Sequence, residues 1–389
     1  MKKLYSWHRE GRTMIKICLY LITICVVFSF STSRAATEKL LVTFINPGVS
    51  DVNDPTGGFW LSVSSFMKAA AEDLNIELEI IYSERNHILM QQQAKDVVER
   101  KNPPNYLIVV NEKLRARQMV IDSNNAGVKV FVMLNIFDGE QQIQMGPPRY
   151  KYKNWIGTLI PDNHFAGYEI ARLVIDHALD TGVKSADGLL HLIGISGDPV
   201  TQASIERVNG LKQAVSEYPN VNLKQVFVGY WRKDISKKKV MRALKRYPNT
   251  RAIWAANDPM AIGAVEAVFD NRKKPGKDIF IGGLNWDIPG LKKIKKGEMV
   301  TSIGGHFMTG GWVLVLLHDY HHGKDFAEEG LQLKQQIFGA LHRQNIDSFL
   351  KYFGGRNWSI IDYTRFSKVL NPNITRYNFN LEEVLKQFK

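Results

Sequence analysis

Short apolar runs alternate with stretches of helical periodicity along most of the chain from Leu40 onward. The run LLVTFIN at 40–46 predicts a buried strand, and FWLSVSSFMKAAAEDLN at 59–75 repeats apolar residues at helical spacing. Helical patterns separate the further strands that we predict at 76–82, 106–110 and 128–134. This succession predicts an α/β fold in which helices cover both faces of a parallel sheet.

A second series of the same kind begins near Trp155. A strand at 155–162 leads into a helix from about His164 to Leu179, and later strands are predicted at 188–196, 221–230, 252–257 and 278–285. The stretch 139–154 between the series contains turn residues and Pro147-Pro148, so we predict a loop there. Residues 324–389 continue past the repeat, and we interpret them as packing material or a partner surface.

The first 35 residues have the features of a secretory signal peptide. Basic residues precede or open the apolar run at 15–30, and Ser33-Arg34-Ala35 fits the small-x-small cleavage pattern. The run is short for a membrane span, which favours cleavage near Ala35 over an uncleaved anchor helix. Translation could begin at Met1 or at Met14. We therefore expect a protein that is exported to the periplasm.

Both cysteines, Cys18 and Cys25, lie inside this segment, so the exported chain would contain none. Such a chain needs no disulfide and offers no cysteine nucleophile or thiolate ligand. The formal net charge is +13, to which the six Lys/Arg and one Glu of the first 35 residues contribute +5. The lysine clusters at 237–239 and 292–296 occur among apolar residues at helical spacing, which predicts solvated helix faces rather than nucleic-acid binding.

Polar and aromatic residues follow the predicted strands, at the sheet edge where open parallel sheets bind ligands. They include Asn46, Phe59, Trp60, Asn135, Asp162-Asn163, Trp231-Arg232, Asn257-Asp258 and Asn285. Amides hydrogen-bond to hydroxyls in fixed geometry, and flat rings cover the apolar faces of a sugar. Any one of these residues could instead cap a helix or form a turn, so only their repeated placement favours a site. In this interpretation Asn257 faces the cleft and Asp258 caps the next helix.

Four segments carry a specific pattern: IGTLIPDNHFAGYEIARLVI (156–175), SIERVNGLKQAV (204–215), RYPNTRAIWAANDPMAIGAVEAV (246–268) and GGLNWDIPGLKKIKKGEMVTSIGG (282–305). They resemble the ribose/galactose-type periplasmic binding proteins, the type I fold family that also includes autoinducer-2-binding proteins, and the similarity runs from about Leu40 to Asp325. It implies two doubly wound lobes joined by a three-stranded hinge, with crossovers near Pro161, Gly305 and Gly323. The N-terminal lobe would comprise 37–161 plus 306–323, and the C-terminal lobe 162–305 plus 324–389.

The resemblance also implies roles for individual residues. Arg207 would fork onto ligand hydroxyls, and Trp60 and Trp231 would stack on the ligand. Asn257 would supply an amide at the hinge-side strand end, and Asn46 would help to close the cleft from the N-terminal lobe.

The chain departs from the sugar binders of this family at three places. Leu134-Asn135 replaces an Asp-Arg pair, although Asn135 is similar to the autoinducer-2 binders. Asn285 replaces an Asp, and Gly305 replaces a Gln, with His306 as its neighbour. We expect Asn135, Asn285 and His306 to contact the ligand, and the loss of two carboxylates to weaken recognition of ordinary pyranoses.

The resemblance implies a monomeric, non-catalytic protein without a cofactor that closes on a sugar or a related polyol. Its membrane partner would be the permease of an ABC importer or, alternatively, a sensor such as a histidine kinase. An exported enzyme is disfavoured because the chain lacks a phosphate loop, a GxSxG elbow and HExxH. His318 and His322 have the spacing of metal ligands, but a solvated helix end is the favoured interpretation, so no metal site is predicted.

Overall fold

Two six-stranded sheets carry the fold of the computed structural model, which describes residues 39–137, 139–182 and 185–388. The signal peptide predicted for 1–35 lies outside the described residues. In the first sheet the strand order is β11-β5-β4-β3-β1-β2, and every pairing is parallel. Its strands are β1 (Leu40–Asn46), β2 (Ile76–Tyr82), β3 (Tyr106–Val109), β4 (Lys129–Met133), β5 (Trp155–Pro161) and β11 (Gln332–Gln335).

The second sheet has the corresponding order β12-β10-β9-β8-β6-β7. Only β12 runs antiparallel to its neighbour β10. The strands are β6 (Leu190–Ser196), β7 (Val221–Val228), β8 (Thr250–Ala255), β9 (Phe280–Leu284), β10 (Thr301–Gly304) and β12 (Gly339–His342). We call the first sheet with its helices the first lobe, and the second sheet with its helices the second lobe. The predicted α/β class with two doubly wound sheets is thus confirmed.

Helices follow the strands in both lobes and bury one apolar face against each sheet. Those of the first lobe are α1 (Phe59–Asp73), α2 (His87–Val98), α3 (Ala116–Asn125), α4 (Gly139–Met145) and α10 (Thr309–His321). Those of the second lobe are α5 (Asn163–Asp180), α6 (Gln202–Ser216), α7 (Lys233–Arg246), α8 (Asp258–Asp270) and α9 (Ile288–Lys295). Two short helices, α11 (Ile346–Phe353) and α12 (Leu381–Leu385), belong to the C-terminal segment.

The stretch 139–154 is only in part the loop that the sequence predicted. Residues Gly139–Met145 form α4, in which Gln144 donates to Glu140 one turn earlier at 2.9 Å and Met145 is buried. The side-chain pair and the buried methionine stabilise this turn, and Pro147-Pro148 follows the helix. β5 pairs with β4, so the second series begins after Pro161 and not near Trp155.

The chain crosses between the sheets three times. The crossings lie between β5 and α5, after β10, and between β11 and β12 at residues 336–338. The third crossing was predicted near Gly323, and that position is wrong. β11 pairs with β5, so 332–335 belongs to the first sheet and not to the C-terminal lobe as predicted. A four-residue strand at a sheet edge has little apolar pattern, which is why the sequence did not reveal it.

The C-terminal segment 343–388 packs on α1 and α10 of the first lobe. Phe66 of α1 contacts the rings of Trp358 and Tyr363 edge-on at 5.6 and 5.2 Å between centroids. Asp319 of α10 is fully buried and accepts hydrogen bonds from the Ser367 hydroxyl, the Lys368 backbone N–H and the Tyr377 hydroxyl. The segment is therefore an integral part of the packed core.

None of the helices described is long and apolar enough to cross a membrane. His318, predicted on a solvated helix end, is instead buried, and its Nδ1 lies 3.2 Å from Asp319. Across the described ranges no group of three or more side chains could hold a metal ion.

Candidate functional site

A cavity of about 70 Å³ lies between the two lobes at the carboxyl ends of their strands. This edge of an open parallel sheet is where small ligands bind. The described residues that line it come from strand ends, helix starts and the first-lobe loop: Thr56, Phe59, Trp60, Arg85, Glu112, Leu134, Asn135, Pro161, Asn163, Thr201, Ala203, Arg207, Trp231, Asn257, Asn285 and His306. Every residue for which a ligand contact was predicted, except Asn46, is in this set, whereas the strand-end residues Asp162, Arg232 and Asp258 are not.

Arg207 projects from α6 into the cavity and is only 4% exposed. Its Nε donates to Asn163 Oδ1 at 2.9 Å, and its Nη1 donates to the Ala256 carbonyl at 2.8 Å. Both acceptors are neutral, and burial lowers the pKa of Arg207 to about 9. The two bonds fix the guanidinium plane and leave further N–H groups to face the cavity.

Each of the two tryptophans predicted to stack on the ligand rests on a glycine. A Cβ on Gly197 would lie 2.1 Å from the Trp231 ring, and a Cβ on Gly48 would lie 2.2 Å from Trp60 Cβ. No larger residue at these positions would leave the indoles where they are. The Trp231 ring also lies 5.6 Å from the Arg207 guanidinium, a cation–π distance.

Phe59 and His306 form a second aromatic wall. Their rings stack at 4.5 Å, and Phe338 of the third crossing packs on the other side of His306 at 4.9 Å. Burial, and the neighbouring Arg207, hold the pKa of His306 well below its usual value, so the ring is neutral. Its Nδ1 is buried and has no hydrogen-bond partner among the described residues.

Three predicted amides lie on the cavity wall, and each is held by a neighbour. Asn135 Oδ1 accepts from the Ala203 backbone N–H at 3.1 Å, across the cleft. Asn257 Oδ1 accepts from Met260 N at 2.9 Å, and its Nδ2 donates to the Trp231 carbonyl at 3.1 Å. Asn257, and not Asp258 as predicted, is therefore the N-cap of α8. Asn285 Nδ2 donates to Asp287 Oδ2 at 3.3 Å.

Asp258 instead belongs to a buried network behind the cavity wall. It accepts from the Ser302 hydroxyl at 2.8 Å and from the Asp287 backbone N–H at 2.9 Å. Burial and the nearby Asp287 raise the pKa of Asp258 well above its usual value. Arg356 of the C-terminal segment donates to the Trp286 carbonyl at 2.8 Å and to Ser62 of α1 at 3.3 Å, so it connects this network to the first lobe.

Backbone conformations with positive φ recur where the strands meet the cavity. Leu134 has φ 66°, Trp231 has φ 64° and Asn285 has φ 138°. Side chains other than glycine adopt this region at an energetic cost, and such residues cluster at functional sites. The local turns aim these side chains in directions that a regular strand would not provide.

Asn46, the remaining predicted site residue, does not line the cavity. It is fully buried at the end of β1, where its Nδ2 donates to Ser64 Oγ at 2.9 Å and to the Trp60 carbonyl at 3.2 Å. Its Oδ1 accepts from Gly48 N at 2.8 Å. The side chain turns towards α1 and holds the loop and Trp60 in place.

The sequence analysis missed several residues of the cavity, above all the charged residues Arg85 and Glu112. They lie outside the strand ends, in irregular segments where Arg85 and Lys113 have positive φ, so no periodicity indicated them. Burial raises the pKa of Glu112, while Arg85 and Lys113 oppose that shift. Asn163 was recognised as a polar residue after a strand, but no ligand contact was assigned to it, and it lines the cavity.

The lobes touch each other across the mouth of the cavity, so the structure is a closed one. Gln202 of α6 accepts from Ile136 N at 2.9 Å, and Lys113 lies 3.5 Å from Asp198. The loop before α1 also crosses, since Lys233 N donates to the Pro55 carbonyl at 3.1 Å. Closure encloses the cavity with polar contacts that an open form would lack.

Comparisons with known proteins agree with this architecture. The chain is 22% identical to the ribose import binding protein of Bacillus subtilis over 296 residues, which is 75% of this chain and 85% of that protein. It is 24% identical to the D-allose-binding periplasmic protein of Escherichia coli over 294 residues, which is 75% of this chain and 86% of that protein.

A crystal structure of a periplasmic sugar-binding protein from Pseudomonas fluorescens is similar over 89% of this chain and 99% of that one, with a TM-score of 0.79 and 32% sequence identity. The family model described as periplasmic binding protein domain matches residues 52–325. The match covers both sheets except for β1, β11 and β12. The chain therefore belongs to the periplasmic binding protein family.

Proposed function

We propose that this protein is exported to the periplasm, with its signal peptide cleaved near Ala35, and captures a sugar or sugar-like small molecule between its lobes. The observation that supports this most strongly is the cavity between the lobes, which Arg207 and three amides line together with Trp60, Phe59 and Trp231. Hydrogen-bonding groups fixed around flat rings suit a hydroxylated ring or chain. The similarity to ribose- and allose-binding proteins supports the same class of ligand.

Closure follows from contacts that form only when the lobes meet, such as Gln202 with Ile136. A ligand held by both lobes adds to these contacts and shifts the equilibrium towards the closed form. We propose that the closed protein acts as a monomer and delivers its ligand to the permease of an ABC importer. This delivery role is supported by the import function in the name of the Bacillus subtilis relative.

Thermal-shift screening of the purified protein against sugars and polyols tests the binding role. A ligand at a hundred times its dissociation constant stabilises the folded state by about 2.7 kcal/mol, which a melting curve resolves. The Arg207→Ala and Trp231→Ala variants should lose this shift and still give a cooperative melting transition. Undiminished affinity in calorimetry would remove those residues from the site.

Uptake of the labelled ligand tests the partner. A strain without the gene should lose uptake if the protein serves an importer. Unchanged uptake together with lost ligand-dependent gene expression would instead favour the alternative partner, a membrane sensor such as a histidine kinase.

A further inference from the structure

The cavity carries an unbalanced positive charge. Its described lining contains two guanidinium groups, Arg85 and Arg207, and a single carboxylate, Glu112. The neutral imidazole of His306 and the amides add no charge. Arg85 and Lys113 are near Glu112 and oppose the rise in its pKa that burial causes. Lys113 also forms an ion pair with Asp198 at 3.5 Å. The charges of Arg85, Glu112, Lys113 and Asp198 therefore compensate one another. The charge of Arg207 is not compensated by any of them.

Arg207 has no acidic partner within the described part of the chain. None of the ion pairs there includes it, and its two hydrogen bonds go to an amide oxygen and a backbone carbonyl. It is nevertheless 4% exposed. A buried charge is costly unless an opposite charge accompanies it, so buried guanidinium groups are ordinarily paired. The closed cavity therefore holds a cation whose counter-ion the described residues do not supply.

The geometry of the Arg207 guanidinium indicates which chemical group could act as its counter-ion. Nε and Nη1 each use one N–H on the protein, and Nη2 donates to none of the described residues. An arginine has five N–H groups in a rigid fork that matches a carboxylate in two parallel hydrogen bonds. The remaining N–H groups of Arg207 are thus available to an anionic acceptor in the cavity.

We propose, on the basis of the proposed function, that the ligand is a hydroxylated small molecule bearing a carboxylate, such as an aldonic or uronic acid, and that Arg207 receives its charge. A neutral sugar would satisfy the free N–H groups but leave the charge uncompensated. A hydroxyl already accepts charge-assisted hydrogen bonds from a guanidinium, and a carboxylate adds an opposite charge and a bidentate fit to the fork. The amides and rings would hold the hydroxylated part of either molecule equally.

Calorimetry on matched pairs tests this inference with the full exported chain. The pairs are D-ribose with D-ribonate, D-galactose with D-galactonate and D-galacturonate, and D-glucose with D-gluconate and D-glucuronate. We expect at least one acid to bind ten times or more tighter than its neutral partner. If a neutral sugar binds as tightly as its acids or tighter, the inference is overturned and the proposed function stands. If no member of either class binds, and no sugar or polyol in the thermal-shift screen stabilises the protein, the proposed function fails as well.

Asn163→Asp is the sharpest variant, because it places a carboxylate oxygen where the amide oxygen now accepts from Arg207 at 2.9 Å. The replacement has the same shape and gives up only the long hydrogen bond from Asn163 Nδ2 to the Pro161 carbonyl at 3.4 Å. An acidic residue in the first turn of α5 suits the helix dipole. With the charge compensated internally, the preference for acids should fall below twofold, and the unliganded protein should melt at the same or a higher temperature.

Asn380→Asp is the matched control, since Asn380 caps α12 far along the chain and Asp caps equally well. It adds the same charge and should leave the acid preference unchanged. A tenfold preference that persists in Asn163→Asp would overturn the assignment of Arg207 as the group that receives the ligand's charge.

Discussion

Gly197 gives the most direct test of how the cavity wall is built. A Cβ at this position would lie 2.1 Å from Trp231 Cζ2, whereas carbon atoms in contact are about 3.5–4.0 Å apart. In Gly197→Ala the indole must therefore move by about 1.5 Å or rotate away. The ring adjoins Arg207 at 5.6 Å, so its displacement changes the centre of the cavity.

The expected effect on binding follows from what the ring contributes. Aromatic pairing is worth about 0.5–1.5 kcal/mol beyond the area that it buries. Loss of part of the buried area adds at about 25 cal/mol per Å². We expect a loss of about 1.5–3 kcal/mol, which corresponds to roughly 10- to 150-fold weaker binding.

The assay is calorimetry with the sugar or sugar acid that most raises the melting temperature of the wild type, with tryptophan fluorescence as a second reading. Gly355→Ala is the control, because a Cβ there meets nothing within 4 Å. It should change neither affinity nor fluorescence. If Gly197→Ala binds within twofold of wild type, the Trp231 ring is not a wall of the site, and the reasoning is refuted.

Two further predictions concern closure and the C-terminal segment. Gln202→Ala removes the acceptor of the Ile136 N–H across the cleft, so ligand should dissociate about 2- to 10-fold faster in stopped-flow fluorescence; an unchanged rate would show that this contact does not hold the lobes together. Asp319→Asn should lower the free energy of unfolding at pH 7 by about 2–4 kcal/mol, because charge-assisted bonds from 367–377 are lost. Although burial opposes it, hydrogen bonds from His318, Ser367, Lys368 and Tyr377 hold the pKa of Asp319 below 3.8. The stabilisation is therefore complete above pH 3.8 and is lost as the pH falls through the lower folded-state pKa. In urea unfolding, the difference in free energy of unfolding between wild type and variant should be smaller at pH 3 than at pH 7. An equal difference at the two pH values would contradict this assignment.

Local pattern was sufficient for much of the fold and of the candidate site. The periodicity of apolar residues in strands and helices can be recognised from neighbouring positions, so the bounds of β1, β6 and α1 were predictable within a few residues. A parallel sheet brings its carboxyl ends to one edge, which is why Asn135, Asn257 and Asn285 could be expected at a common cavity. The placement of Arg207 there rested on family resemblance.

The predictions that were wrong or incomplete concern features that depend on contacts between distant residues or on irregular backbone. β11 joins the first sheet through pairing with a strand about 170 residues earlier, and such pairing leaves no periodic trace in a four-residue segment. Asn46 satisfies the rule for a strand-end polar residue, yet its hydrogen bonds with Ser64 and Trp60 turn it away from the cavity. Arg85 and Glu112 reach the site through irregular backbone that no pattern indicates.

By itself, the sequence determined the order of helices and strands and the kinds of side chain available at the strand ends, because these depend on residues close together in the chain. It also led us to expect an export signal, for the same reason. Only the tertiary structure decided which side chains share a cavity, which glycines lie beneath the indoles, and that Arg207 is buried without a carboxylate. Those properties depend on distances between residues far apart in the sequence, and the charge balance of a closed site exists only after both lobes have folded and met.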